Sequence, residues 1–279
     1  MITNIFLGST ELTSANRFIV SVKNGGFPEV DYSTTKKGGY SGRKISPGKF
    51  SSYKFVLEWQ VVGSSFSDLT TQKEIFIALL GQIISSGSKI LRIDRANGTD
   101  LQIEVKGIDV VTDVSTADPL NSHILTEMEA EYPFLVGVTE LVETAFIFEG
   151  GGMEIPMAIP MDMSGGGGGG EITMANDGNY EAFPRFLFAG PLTTPTLTNV
   201  TTGKVLNVNT SLATFDDKLE VDVFLRTARF LPSGTNARRY ISGDFWTMAI
   251  GNNTIKLGSA SFNTTGRASI YFRSHWLNI

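Results

Sequence analysis

Residues 149–171 read E-GGG-MEIPMAIPMDM-S-GGGGGG-E, an eleven-residue run between two glycine clusters. Met153, Ile155, Met157, Ile159, Met161 and Met163 hold the odd positions, and Glu154, Pro156, Ala158, Pro160 and Asp162 fill the even ones. Alternation with a period of two is the pattern of a half-buried strand, not of a helix. Pro156 and Pro160 share a parity, and residues of one parity aim their N–H groups to the same side. That side lacks ladder donors, which suits an edge strand or one that exchanges partners between sheets. In a helix each interior proline would cost about 3 kcal/mol. The run therefore predicts the opening strand of a second domain, with the chain organised differently on either side.

At 279 residues there is room for two such domains, each with a core of its own. The charged fraction is only 18% and there are 30 glycines, as expected of many short strands joined by tight turns. Lys and Arg number 23 against 28 Asp and Glu, a net charge of −5, which argues against a nucleic-acid binder. The absence of cysteine excludes a disulfide framework and a thiolate metal site. The start, MITNIFLGST, lacks a basic segment and a long apolar run, so no signal peptide is expected, and no window reaches the roughly 20 apolar residues of a membrane span.

In the first half, residues 17–22 (RFIVSV) form a short strand candidate. Residues 33–49, STTKKGGYSGRKISPGK, follow as a turn-rich loop with Lys36, Lys37, Arg43, Lys44 and Lys49 and no acid. A solvated loop is one reading. An arm that docks on an acidic neighbouring subunit is the other, because the loop exceeds what a hairpin needs. A clear strand over 54–62 places Phe55, Leu57, Trp59 and Val61 on one face, with Trp59 in the core. The spacing predicts a helix over about 70–86: Thr71 and Glu74 match a capping box, Phe76, Leu79, Leu80 and Ile83 make an apolar stripe, and Gly87 ends it. Asn97-Gly98 joins strands 90–94 and 101–105 in a hairpin. Strand 124–132 sets Ile124, Thr126, Met128 and Ala130 against a face bearing Glu127, Glu129 and Glu131. Three acids on one face could hold a cation, or form a solvent face or a subunit contact. The half reads as a mostly antiparallel β-sandwich with one packed helix.

Beyond Ser164, the glycines Gly165, Gly166, Gly167, Gly168, Gly169 and Gly170 are a linker or a mobile loop, and the nearness of strand 171–174 favours the loop. They match G-x-G-x-x-G only formally, without the βαβ context that motif requires. Turn-and-strand alternation continues to the end, with strands over 183–188, 197–200, 205–208, 219–225, 254–257 and 267–276. Short strands about ten residues apart indicate a second β-sandwich.

Catalytic chemistry is poorly supplied. His123 and His275 sit in different halves, and Gly39-Tyr40-Ser41-Gly42-Arg43 breaks the G-x-S-x-G elbow. Asp216, Asp217, Glu220 and Asp222 could supply paired carboxylates, but strand parity puts Glu220 and Asp222 on one polar face that solvation explains. Trp246 and Trp276 could stack on a sugar or be buried. No enzyme, no cofactor and no metal are expected.

The second half resembles the siphophage distal tail protein family, Dit. The residues that carry the likeness are Asn176-Asp177-Gly178-Asn179, Ala182-Phe183-Pro184, PTLTNVTTGK over 195–204, Leu219-Glu220-Val221-Asp222, GNNTIKL over 251–257 and YFRSHWL over 271–277. The I-P-M-A-I-P-M run resembles the strand that opens the family's galectin-like domain. The first half is similar in its strand, helix, turn over 94–100 and closing AEYPF over 130–134. The six-glycine run is longer than the family implies, and Glu131-Tyr132-Pro133 stands where many relatives have Asp-Pro.

The resemblance implies a mainly β chain: an N-terminal ring-forming β-sandwich over 1–140, a linker over 141–152, and a galectin-like β-sandwich over 153–279 with a Gly-rich loop at 164–170. It implies a non-enzymatic virion protein at the distal end of a long non-contractile phage tail, made in the host cytoplasm. Copies, six in the family, would form a homo-oligomeric ring. The ring would join the tail tube protein to the tail-tip hub, anchor receptor-binding protein, and let DNA pass through its lumen, with no membrane insertion. A carbohydrate-binding module using Trp246 or Trp276, and a tail tube protein, are the competing readings.

Overall fold

The computed structural model describes residues 2–15, 17–23, 28–31, 34–36, 43–45, 49–115, 120–147, 170–260 and 265–278. The run over 153–163, its expected strand, and Gly165–Gly169 lie outside the described residues. The chain divides into two units, Met1–Val138 with Trp276–Ile279, and Thr139–His275.

The first unit is built on two sheets. In one, the order is Thr10–Glu11, Ile2–Leu7, Lys89–Arg95, Leu101–Val105, Leu135–Gly137 and then the C-terminal strand that carries Trp276. In the other, the order is Gly107–Ser115, Asn121–Ala130, Tyr53–Val62 and Arg17–Lys23. The long strand Tyr53–Val62 alternates buried and half-buried residues along its whole length. Period-two patterning thus becomes one core face carrying Tyr53, Phe55, Leu57, Trp59 and Val61. The Trp59 indole N–H donates to Thr126 Oγ1 at 3.0 Å, so its burial strands no polar group. Gly98, at φ 77°, makes the tight turn between Lys89–Arg95 and Leu101–Val105.

Helix α1 spans Phe66–Ser86 and starts earlier than the spacing predicts. Its N-cap is Ser65, whose hydroxyl accepts from the Asp68 N–H at 3.2 Å. Asp68 Oδ2 reaches back to accept from the Ser64 N–H at 2.8 Å, and these bonds hold its carboxyl below the usual range. Thr71, expected as the cap, lies inside the helix and donates to the Ser67 carbonyl at 3.0 Å. Leu69, Phe76, Leu80 and Ile83 are the buried stripe, each contributing about 2 kcal/mol through burial. Trp59 and Phe76 meet with ring centroids 4.9 Å apart. Gly87, at φ 74°, ends the helix in the left-handed conformation.

Within the basic segment the described residues form short paired strands. Thr34–Lys36 pairs antiparallel with Arg43–Ile45, and Val30–Asp31 pairs with Lys49–Phe50. Lys36, Arg43, Lys44 and Lys49 therefore lie in short ribbons, while Lys37 lies outside the described residues.

The second unit is a β-sandwich of two five-stranded sheets. One runs Leu141–Phe146, Arg267–Phe272, Arg185–Ala189, Lys218–Asp222, Thr227–Leu231, and the other Glu171–Asn176, Gly251–Gly258, Thr196–Asn199, Lys204–Val208, Ile241–Gly243. Phe186, Phe188, Leu197, Leu206, Leu219, Trp246, Ile255, Leu257 and Ile270 are fully buried between them. The chain is thus mainly β, a sandwich with one helix followed by a sandwich.

Candidate functional site

Two asparagines organise the loops whose sequences carry the resemblance. Asn176, fully buried, donates to the Tyr180 and Met248 carbonyls at 2.8 and 3.2 Å and accepts from the Gly178 N–H at 3.1 Å. A Cβ on Gly178 would lie 2.0 Å from the His275 carbonyl oxygen, which explains the glycine through close approach of two backbones. Asn253, also fully buried, accepts from Asn199 Nδ2 and the Ala249 N–H and donates to the Ala249 and Gly251 carbonyls. Both motifs are thus polar cores of turns, with their hydrogen-bonding capacity spent mostly on backbone and on the Asn199–Asn253 pair.

Three of the four carboxylates near 220 take separate structural roles. Glu220 is 7% exposed, not solvated as its parity suggests. Its Oε1 accepts from Arg229 Nε and Nη2 at 2.8 and 2.6 Å, and its Oε2 from Arg185 Nη1 at 3.0 Å. Strand register explains this: Glu220 sits opposite Arg229 on the adjoining strand, and Arg185 lies on its other neighbour. The paired carboxylate is buried because two guanidiniums replace its water. Asp217 Oδ2 accepts from the Thr214 N–H and hydroxyl and the Ala213 N–H, which holds its carboxyl below the usual range. Asp222 caps a turn by accepting from the Leu225 N–H at 2.8 Å, and Asp216 is exposed.

Trp246 is fully buried, with Nε1 donating to the Leu197 carbonyl at 3.1 Å and the ring 4.6 Å from that of Phe186. Trp276 is 9% exposed and packs in the core of the first unit, with the Arg95 guanidinium 5.8 Å from its ring centre. Neither indole offers an open face to a sugar ring. His275 is buried, its Nδ1 3.0 Å from the Glu181 carbonyl, and burial pushes its pKa down to about 4. His123 lies in the other unit, 3.3 Å from Glu58 Oε1. Glu129 pairs with Lys54 at 3.6 Å, and Glu131 pairs with Lys106. Among the described residues no group of His, Asp and Glu is arranged to hold a metal ion, and no helix is long and apolar enough to cross a membrane.

What the first unit does expose is apolar surface on its helix. Phe66 is 73% exposed, Ile84 70%, Ile75 45% and Ile77 39%. Phe66, Ile77 and Ile84 are spaced by 11 and 7 residues, so they fall on one line along the helix, flanking the buried stripe. Sequence reasoning found the buried stripe but missed this second one, although the same spacing was there to read. Among the described residues, strands Arg17–Lys23 and Gly107–Ser115 are the two edges of their sheet.

Residues 177–276 match the family described as siphovirus-type tail component, C-terminal domain. The match takes in the Asp177-Gly178 turn, the Asn199 and Asn253 turn cores and the Glu220 ladder. Over 96% of this chain and 97% of that one, the fold is similar to the crystal structure of SPP1 Dit, with a TM-score of 0.62 and 12% identity. That protein is described as a paradigm of the hub adsorption apparatus in phages infecting Gram-positive bacteria. A chain of the phage p2 baseplate in its activated conformation with calcium is also similar, at 10% identity and a TM-score of 0.41, over 98% of each chain. No curated protein sequence matches. Over most of its length the chain therefore has a fold like that of SPP1 Dit, and residues 177–276 are similar to the C-terminal-domain family.

Proposed function

We propose that this chain is a structural component of a siphophage tail tip, whose first unit associates with copies of itself into a closed ring of six. The ring joins the tail tube to the tail-tip hub and carries receptor-binding components, and its lumen passes DNA. The second unit is the Dit-type sandwich named above. The observation that carries the self-association is the exposed line Phe66–Ile77–Ile84 on the helix. Such apolar surface on a chain with a charged fraction of only 18% is costly in water and is stabilised when a neighbour covers it. The open edges of the four-stranded sheet supply directional pairing, and a contact repeated at a fixed rotation closes into a finite object. Glu220 is committed to ladder pairing and both tryptophans to packing, which supports a structural role.

Native mass spectrometry of the purified chain, alone and mixed with its tail neighbours, tests the reading. A six-copy species is the expected result. A strictly monomeric chain under both conditions overturns it.

A further inference from the structure

Residues 223–243 hold four arginines, Arg226, Arg229, Arg238 and Arg239, and no acid, in a chain whose net charge is −5. Backbone pairing gathers three of them. Asn236 bridges Arg229, and the Ala237 N–H donates to the Ala228 carbonyl at 2.8 Å, so the chain returning from Leu231 runs back along the strand Thr227–Leu231. It delivers Arg238 and Arg239 to the end of that strand where Arg226 stands. All three are exposed, and among the described residues none has a carboxylate within ion-pair distance. Arg229 differs, since Glu220 takes its Nε and Nη2. Rings hold the next two: the Arg238 guanidinium carbon lies 4.6 Å from the centre of the Phe245 ring, and that of Arg239 lies 4.6 Å from the Tyr240 ring. Arg238 Nη1 donates to the Ile241 carbonyl at 3.0 Å and Arg239 Nη2 to the Tyr240 hydroxyl, which leaves the other N–H groups of each guanidinium undonated.

The turn beside Arg226 displays apolar side chains. Leu225 is 64% exposed and Phe224 43%. Asp222 Oδ1 accepts from the Leu225 N–H at 2.8 Å, and Arg226 takes φ 54°, a left-handed conformation that glycine or asparagine adopts at less cost. A strained arginine next to an exposed leucine is accounted for by a contact made outside the chain. We propose that this end of the second unit docks an acidic segment of a partner protein, with one apolar side chain on Leu225 and flanking carboxylates on Arg226, Arg238 and Arg239. Charge complementarity selects the acid: only Asp222 and Asp244 flank the stretch, so the three guanidiniums outnumber the carboxylates next to it. A guanidinium laid on a ring has its plane fixed and its edge ready for a carboxylate. Leu225 and Phe224 select a polypeptide over a phosphate polymer, which has no apolar group to cover them. Arginine and tyrosine are also the residue types concentrated at protein interfaces. The surface lies in the second unit, whereas the helix line proposed for self-association lies in the first.

The probe is a displayed library of random peptides, selected on the intact chain and counter-selected on the double variant Leu225→Ser, Arg239→Gln. The surface predicts enriched peptides that carry two or more Asp or Glu residues around one apolar residue. In fluorescence anisotropy, the best of them, labelled, should bind about tenfold more weakly to Leu225→Ser and to Arg238→Gln with Arg239→Gln. Its binding should also weaken as salt is raised. Arg226→Gly removes the charge and the backbone strain together, so it should weaken binding several-fold while the urea midpoint holds or rises. Arginines that merely pack on rings would lower the urea midpoint of the variants and leave the anisotropy unchanged, which overturns the proposal. A selection that yields no binder, or binders without acids, overturns it too. A labelled oligothymidylate bound through these residues as tightly as the peptide assigns the surface to a phosphate polymer instead. Sedimentation in which Leu225→Ser breaks up a self-association assigns it to a second copy, and either result overturns the proposal. The surface does not depend on the ring: a monomeric chain that selects acidic peptides through Leu225 and Arg239 removes the ring and keeps the surface.

Discussion

Gly178 and His275 touch at the point where the Asn176 turn meets the C-terminal strand, and each supports a measurable consequence. Gly178→Ala puts a methyl group 2.0 Å from a carbonyl oxygen, which neither backbone can yield cheaply. Overpacking of this kind costs about 2–3 kcal/mol, and the urea midpoint of the second unit should fall accordingly. His275 is neutral in the folded chain, its pKa lowered from 6.5 to about 4 by burial. The unfolded chain takes up a proton below pH 6.5 that the folded chain refuses until about pH 4. The stability is therefore fully present above pH 6.5 and is lost as pH falls through that window, by about 3 kcal/mol at its lower end. Unfolding midpoints of the native chain and of His275→Gln, taken from pH 7.5 to 4.5, should diverge with the native chain the steeper. The sequence reads Gly178 as a turn residue, and its contact with residue 275, almost a hundred positions away, is what local pattern does not contain.

Among the elements, the helix shows how sequence signals compete. Ser65-Phe66-Ser67-Asp68 and Thr71-Gln72-Lys73-Glu74 both match the capping pattern. The earlier one wins because Leu69 must be helical to reach the core and packs against Gly63, where a Cβ would lie 2.5 Å from the Leu69 nitrogen. Ser65→Ala should then cost about 1 kcal/mol, while Thr71→Ala, at an exposed site inside the helix, should change stability by less than about 0.5 kcal/mol. A thermal-melt comparison of the two variants checks the assignment. Strand parity read Tyr53–Val62 well, since every second side chain has to face one core. It read Glu220 as solvated for a related reason: parity gives the face, and only cross-strand register brings Arg185 and Arg229 to it.

For the whole molecule, two sandwiches in sequence were legible from turn spacing and from the family motifs. The return of the last residues to the first unit was not. Trp276 fills that unit's core, so the unit is not continuous along the chain. Trp276→Ala should cost about 3–4 kcal/mol, seen as an earlier unfolding of the first unit in a protease-sensitivity profile of residues 2–138. A chain cut before residue 276 is for the same reason a poor test of that unit's assembly. The direct test of the ring is imaging of the intact purified chain by negative-stain electron microscopy. The account predicts single rings with an open centre, dispersed by a charged substitution such as Ile77→Lys. Isolated monomers, or tubes of unlimited length, would contradict it.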